Sequence, residues 1–198
     1  MRYTSTHAHR MNPADRLPPI DPELWTSAQR VCAEEIIAGP RAGLVSPFVP
    51  LLRSPELCTH AQRMGEYLRY RSAIGPRLSE LAILVTARHW DQQVEWSIHA
   101  PIAIREGVAP SIVAAIAEGR PPMFLQDNER VVHELSRQLL QERHVDDVTW
   151  AAASAQLGEH GVVDLMGIVG YYTMLSIMMN GAQTPPPAGC PDRLQSLR

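Results

Sequence analysis

The chain has 198 residues, 45% of them hydrophobic, with 18 basic against 21 acidic side chains and a formal charge of −3, which suits one globular domain with a real core. Every basic residue is arginine and lysine does not occur, so a Schiff-base lysine and a P-loop lysine are excluded, and with them PLP enzymes, lysine-dependent aldolases and Walker-type NTPases. No basic run is present, so a nucleic-acid partner is not expected.

Residues 1–20 are polar and proline-bearing, have no apolar signal-like region, and read as a tail or surface strap, with the working domain at 21–183 and a proline-rich tail at 184–198. Asp21-Pro22 opens a helical pattern carrying Leu24, Ala28, Val31, Cys32, Ile36 and Ile37, which ends at Gly39-Pro40. After a Gly/Pro-rich loop to Pro50, Ser54-Pro55-Glu56 predicts an N-cap, a first-turn proline and an early acid for a helix that stops before Gly75-Pro76. Residues 78–87 are apolar except for Ser79, Glu80 and Thr86, which predicts a helix buried on most of its circumference and leaves Glu80 as a carboxylate in need of a reason. Further helices are predicted over 91–105, 110–117, 127–141, 146–157 and 162–180. No segment alternates at period two over a strand length, so the fold class is all-α.

The uncharged stretch 165–183 raises the question of a membrane span. It contains Tyr171, Tyr172, Thr173, Ser176 and Asn180, follows Asp164 directly and lacks basic flanks, so a buried core helix is the expectation and no membrane partner is predicted. Met166, Met174, Met178 and Met179 fit core or subunit contacts on the same helix. Cys32, Cys58 and Cys190 are widely separated with no CxxC, which fits a reducing cytoplasm and neither a disulfide framework nor a thiolate zinc site. Cys32 should be an inert packed thiol, whereas Cys58 sits in the first turns of a helix whose dipole would lower its pKa. His7-Ala8-His9 has no carboxylate neighbour to complete a metal site, and no metal is expected.

The polar residues able to do chemistry are concentrated between Glu80 and His99. Glu95 and His99 are four apart on one helix, so a carboxylate can orient an imidazole and raise its basicity. Glu80 lies on the preceding helix, and an antiparallel hairpin through Arg88-His89-Trp90 would return it to the same face. The same i,i+4 spacing is also common on exposed helices, where it contributes only ~0.2–0.5 kcal/mol. Pro101 lies two residues beyond His99 and removes one backbone donor from that helix, which predicts a bend.

These residues carry a family resemblance. Arg77-Leu78-Ser79-Glu80-Leu81-Ala82-Ile83-Leu84, Ala87-Arg88-His89-Trp90, Glu95-Trp96-Ser97-Ile98-His99-Ala100-Pro101-Ile102-Ala103 and Gly107-Val108 resemble the carboxymuconolactone decarboxylase family, which includes the alkylhydroperoxidase D-like proteins. Val169-Gly170-Tyr171-Tyr172-Thr173-Met174, with Asn180 and Pro185, resembles the C-terminal helix of its longer bacterial members. The resemblance implies an alkylhydroperoxidase D-like helical fold assembled as a homo-oligomer, a trimer or hexamer. Redox members carry a glutamate, a CxxC and a histidine four residues after the second cysteine; here Glu80 and His99 match, but Gln92 and Glu95 occupy the cysteine positions. Without those thiols the peroxide-reducing relay has no nucleophile.

The decarboxylase branch is the better match. It implies a cofactor-free lyase of aromatic compound catabolism, removing carboxylate from, or isomerising, a small carboxylated or lactone-like metabolite. In that reading His99 is the acid, Glu95 its orienter and Glu80 a further relay group. Arg77 and Arg88 are candidate anion clamps, His89 a candidate donor, and Trp96 a pocket wall. Two alternatives stay open: an alkylhydroperoxidase-like, peroxiredoxin-type antioxidant protein using an isolated cysteine, and a non-catalytic oligomeric binding protein.

Overall fold

The computed structural model describes residues 15–41, 43–124, 126–187, 189, 194 and 195. Among them the chain forms a 3-10 turn, Pro22–Leu24, and eight α-helices with no strand. The helices are α1 (Ser27–Ala38), α2 (Phe48–Leu51), α3 (Pro55–Tyr70), α4 (Gly75–His89), α5 (Gln93–Arg105), α6 (Pro110–Ala117), α7 (Asp127–Gln141) and α8 (Asp147–Ala182). His7, His9 and Cys190 lie outside the described residues.

Helix α4 is the axis of the molecule. Every residue from Leu78 to Arg88 is buried, and α3, α5, α6, α7 and α8 all pack on it. Its apolar run leaves no face suited to water, so surrounding helices cover each side. Glu80 is therefore carried into the interior by the side chains that flank it.

Helix α8 is continuous in outline but contains one residue, Gly158, at φ 68° and ψ 169°, a conformation that side-chain-bearing residues avoid. The two helices predicted over 146–157 and 162–180 are thus successive arms meeting at this glycine. α8 is long and apolar enough to cross a bilayer by length and composition, yet 56% of its most apolar window is buried inside the molecule. Within it Asp164 accepts hydrogen bonds from the Tyr67 hydroxyl at 3.1 Å and from the Ala73 N–H at 2.7 Å, ties that suit a core helix.

Three expectations are adjusted. The pattern opening at Asp21 is broken after Leu24; α1 begins at Ser27 because Thr26 and Gln29 form a capping box. The loop before Pro50 contains the one-turn α2. α5 starts at Gln93 rather than Asp91, since Asp91 takes a left-handed φ of 49° to make the sharp turn out of α4. The N-terminal strap is fastened through backbone: Arg16 N–H donates to the Ala182 carbonyl at 2.8 Å, and Arg53 donates to the Leu17 and Pro18 carbonyls.

Candidate active site

The turn between α4 and α5 sets the site. Gln92 accepts the Val94 N–H at 2.6 Å as the N-cap of α5 and donates to Asn180 Oδ1 on α8 at 2.8 Å. Asn180 in turn donates to the Trp90 carbonyl at 2.9 Å. The two helices return antiparallel from this anchored turn, which lays the second turn of α4 against the middle of α5.

There Glu80, Glu95 and His99 meet. His99 Nδ1 lies 2.6 Å from Glu80 Oε2, and His99 Nε2 lies 3.3 Å from Glu95 Oε2. All three are at most 3% exposed. Arg69 Nε on α3 stands 3.9 Å from the other Glu80 oxygen. The Tyr172 ring meets the imidazole edge-on, with centroids 5.2 Å apart and planes at 89°.

Burial alone would favour a neutral imidazole at His99, but the two carboxylates more than offset it and raise its pKa to about 9, so the ring is an imidazolium near neutrality. As an imidazolium it donates from Nδ1 to Glu80 and faces Glu95 with Nε2–H. Tyr172 is held well above its ordinary pKa by burial and by the neighbouring carboxylates, so its hydroxyl is a donor.

A cavity of about 40 Å³ adjoins the cluster, lined by Arg41, Arg69, Glu95, His99, Tyr171 and Tyr172 and by residues 45–48. Glu95 and His99 reach this cavity, whereas Glu80 stands behind the imidazole. Among the described residues Glu95 Oε1 and the Tyr171 hydroxyl are both buried without a hydrogen-bond partner, an arrangement that costs free energy unless a ligand or proton transfer uses it. The Tyr171 hydroxyl comes close to α3 because residue 65 is glycine: a Cβ there would lie 2.2 Å from that oxygen.

The predicted clamp residues are engaged elsewhere. Arg77 pairs with Glu129 on α7 and donates to Gln126 Oε1 at 2.8 Å. Arg88 pairs with Asp91 and donates to the carbonyls of Ala117 and Gln195. His89 lines a separate cavity beside α6 and α7, and Trp96 is packed into the core at 3% exposure. Arg41 and Arg69 also reach the site, from a loop and from α3, and nothing in their local sequence signals it. Tyr171 and Tyr172 were visible only as a paired motif.

Cys58 is completely buried, and burial together with the neighbouring Cys32 thiol raises its pKa, so the expected lowering by the helix dipole is overridden. Among the described residues no group of three or more His, Cys, Asp or Glu side chains is arranged to hold a metal ion.

No protein-family model and no curated protein matches the sequence. Solved structures do match in shape. The debrominase Bmp8 in its apo form superposes with a TM-score of 0.67 at 14% identity, covering 87% of this chain and 92% of that one. A Bmp8 variant with one cysteine changed to alanine, in complex with 2,3,4-tribromopyrrole, gives the same TM-score and identity over 89% and 94% of the two chains. The chain has the all-helical alkylhydroperoxidase D-like fold. At this identity the likeness speaks for the fold alone.

Proposed function

We propose that the protein is a soluble, cytoplasmic, cofactor-free acid/base enzyme that protonates a carbon of a small planar metabolite, by decarboxylation or isomerisation of a carboxylated or lactone-like compound. The observation that carries this reading is the pair of buried, unpartnered oxygens, Glu95 Oε1 and Tyr171 Oη, on the same cavity as the His99 imidazolium. Loss of CO2 from an unsaturated lactone carboxylate leaves its bonding electrons on the ring as a dienolate. A proton from His99 Nε2 ends on that carbon, and solvent restores the imidazolium. The distances favour Glu80, rather than Glu95, as the group that orients the imidazole, because Glu80 makes the shorter contact from outside the cavity. Glu95 then faces substrate as the second proton-transfer group. Arg41 and Arg69 supply positive charge at the cavity wall in place of Arg77 and Arg88.

A cavity of about 40 Å³ has room for little more than water, so a substrate requires this cavity to widen on binding. The ligand of the Bmp8 variant, 2,3,4-tribromopyrrole, is a small planar ring, which supports a substrate of that size. The thiol-dependent alternative is weakened because Gln92 serves as a cap, Glu95 faces the imidazole and Cys58 is sealed in the core.

The test is a panel of small unsaturated lactone carboxylates, following CO2 release and loss of ultraviolet absorbance. His99→Gln should lower turnover by at least about 100-fold, the usual scale for loss of a general acid, with the helical fold retained. Unchanged turnover in that variant removes His99 from the mechanism.

A further inference from the structure

A second cavity, of about 610 Å³, lies between the end of α4, the end of α6 and α7. Its volume is in the range of small-molecule binding sites, unlike that beside His99. It stands apart from the proton-transfer reading and does not depend on it.

The charges on its wall are already used. Arg88 pairs with Asp91, Arg120 with Glu118, and Arg137 with Glu134 and Glu142. A charged ligand would have to shed its hydration and break into one of these pairs, so the wall selects against ions. What remains is apolar surface from Val85, Ile116, Phe124 and Leu140, together with two imidazoles, His89 and His133.

His133 is the polar group this wall leaves open. Its ring stands against that of Phe124, with centroids 5.1 Å apart and planes tilted by 52°. Burial and the nearby Arg137 charge outweigh the pull of Glu134 and lower its pKa, so near neutrality the imidazole is uncharged and carries one donor and one acceptor nitrogen. The residue is partly exposed and lines the cavity, and no other described residue hydrogen-bonds its ring. A neutral acceptor set in an apolar and aromatic wall matches a flat ring that carries one hydroxyl, because both halves of such a ligand find a partner.

We propose that this cavity binds an uncharged hydroxylated aromatic, a phenol, with its hydroxyl donating to the unprotonated ring nitrogen of His133 and its ring lying against Phe124 and Leu140. The probe is 4-fluorophenol, uncharged at neutral pH, followed by ¹⁹F NMR line broadening on the full chain, with fluorobenzene and 4-fluorobenzoate as comparisons. The phenol should bind about fivefold more tightly than fluorobenzene, which lacks the hydroxyl, and at least about tenfold more tightly than the charged benzoate. His133→Phe keeps a ring and removes both nitrogens, and should bring the phenol down to the affinity of fluorobenzene. Leu140→Trp, which fills the cavity, should weaken both neutral ligands by about tenfold or more. His99→Gln should leave binding unchanged. The proposal is overturned if the wild-type protein does not broaden the phenol line up to about 10 mM, or if benzoate binds as tightly as the phenol. It is equally overturned if His133→Phe keeps the advantage of the phenol over fluorobenzene, if a folded Leu140→Trp binds as the wild type does, or if His99→Gln removes binding. Should Leu140→Trp not fold, the His133→Phe comparison decides.

Discussion

A buried imidazole bracketed by two carboxylates makes stability depend on pH in a definite direction. His99 has a pKa of about 9 in the folded chain against an ordinary 6.5, so the native state binds the proton more tightly than the unfolded one. Its contribution, on the order of 3 kcal/mol, is fully present below pH ~6.5 and is lost as pH rises through about 9. Urea denaturation at a series of pH values, comparing wild type with His99→Gln, should show this component only in the wild type. A flat difference between the two would contradict the charged imidazole. Gly65 offers a second measurement at this scale. Its substitution by alanine places a Cβ against the Tyr171 hydroxyl, and the aromatic ring has no flexible end with which to yield. Gly65→Ala should destabilise by about 1–3 kcal/mol and change the near-ultraviolet CD of the tyrosines, despite alanine's better helix propensity. The convergence of Glu80, Glu95 and His99 was legible because a single carboxylate interrupted an apolar run and an i,i+4 pair followed it. The destinations of Arg77 and Arg88 were not legible. Helical position fixes where a guanidinium starts, but α7 and the turn at Asp91 decide where it ends.

The elements themselves were largely written in their punctuation. Pro55, Pro110 and Gly119 mark helix limits that chain-local chemistry can enforce, and Gly158 marks the break in α8. The starts of α1 and α5 were less visible because they depend on side-chain caps and on the left-handed turn at Asp91. Pro101 is accommodated within α5, whose helical span continues to Arg105. Gln92 shows how an element and a site can share one residue. It caps α5 and joins that cap to α8 through Asn180. Gln92→Ala should cost about 1–2 kcal/mol in urea unfolding, from the lost cap and the unmet Asn180 oxygen. Gln92→Asn, which keeps the amide but shortens the reach, should retain part of the cap and lose the Asn180 bond. Wild-type stability in both variants would show that the turn is held by other contacts.

At the scale of the whole molecule, the faces left outward suggest how the chain assembles. On α8, Val163 and Ile177 are 59% and 52% exposed, with exposed Gly170 midway between them, so residues spaced by seven form one small and apolar stripe. On α3, which packs beside α8, Leu57 and Met64 repeat the same spacing at 44% and 46% exposure. A water-facing helix would ordinarily place charges at such positions, and two neighbouring stripes of this kind form a surface suited to another subunit. The expectation is therefore a homo-oligomer of 22.0 kDa chains, measured by light scattering at micromolar concentration. Ile177→Arg and Val163→Glu place charges at the two ends of the stripe without touching the core, and should shift the mass toward the monomer while the CD spectrum stays helical. A wild-type mass near 22.0 kDa would contradict the assembly, and an unchanged oligomer in both variants would place its interface elsewhere.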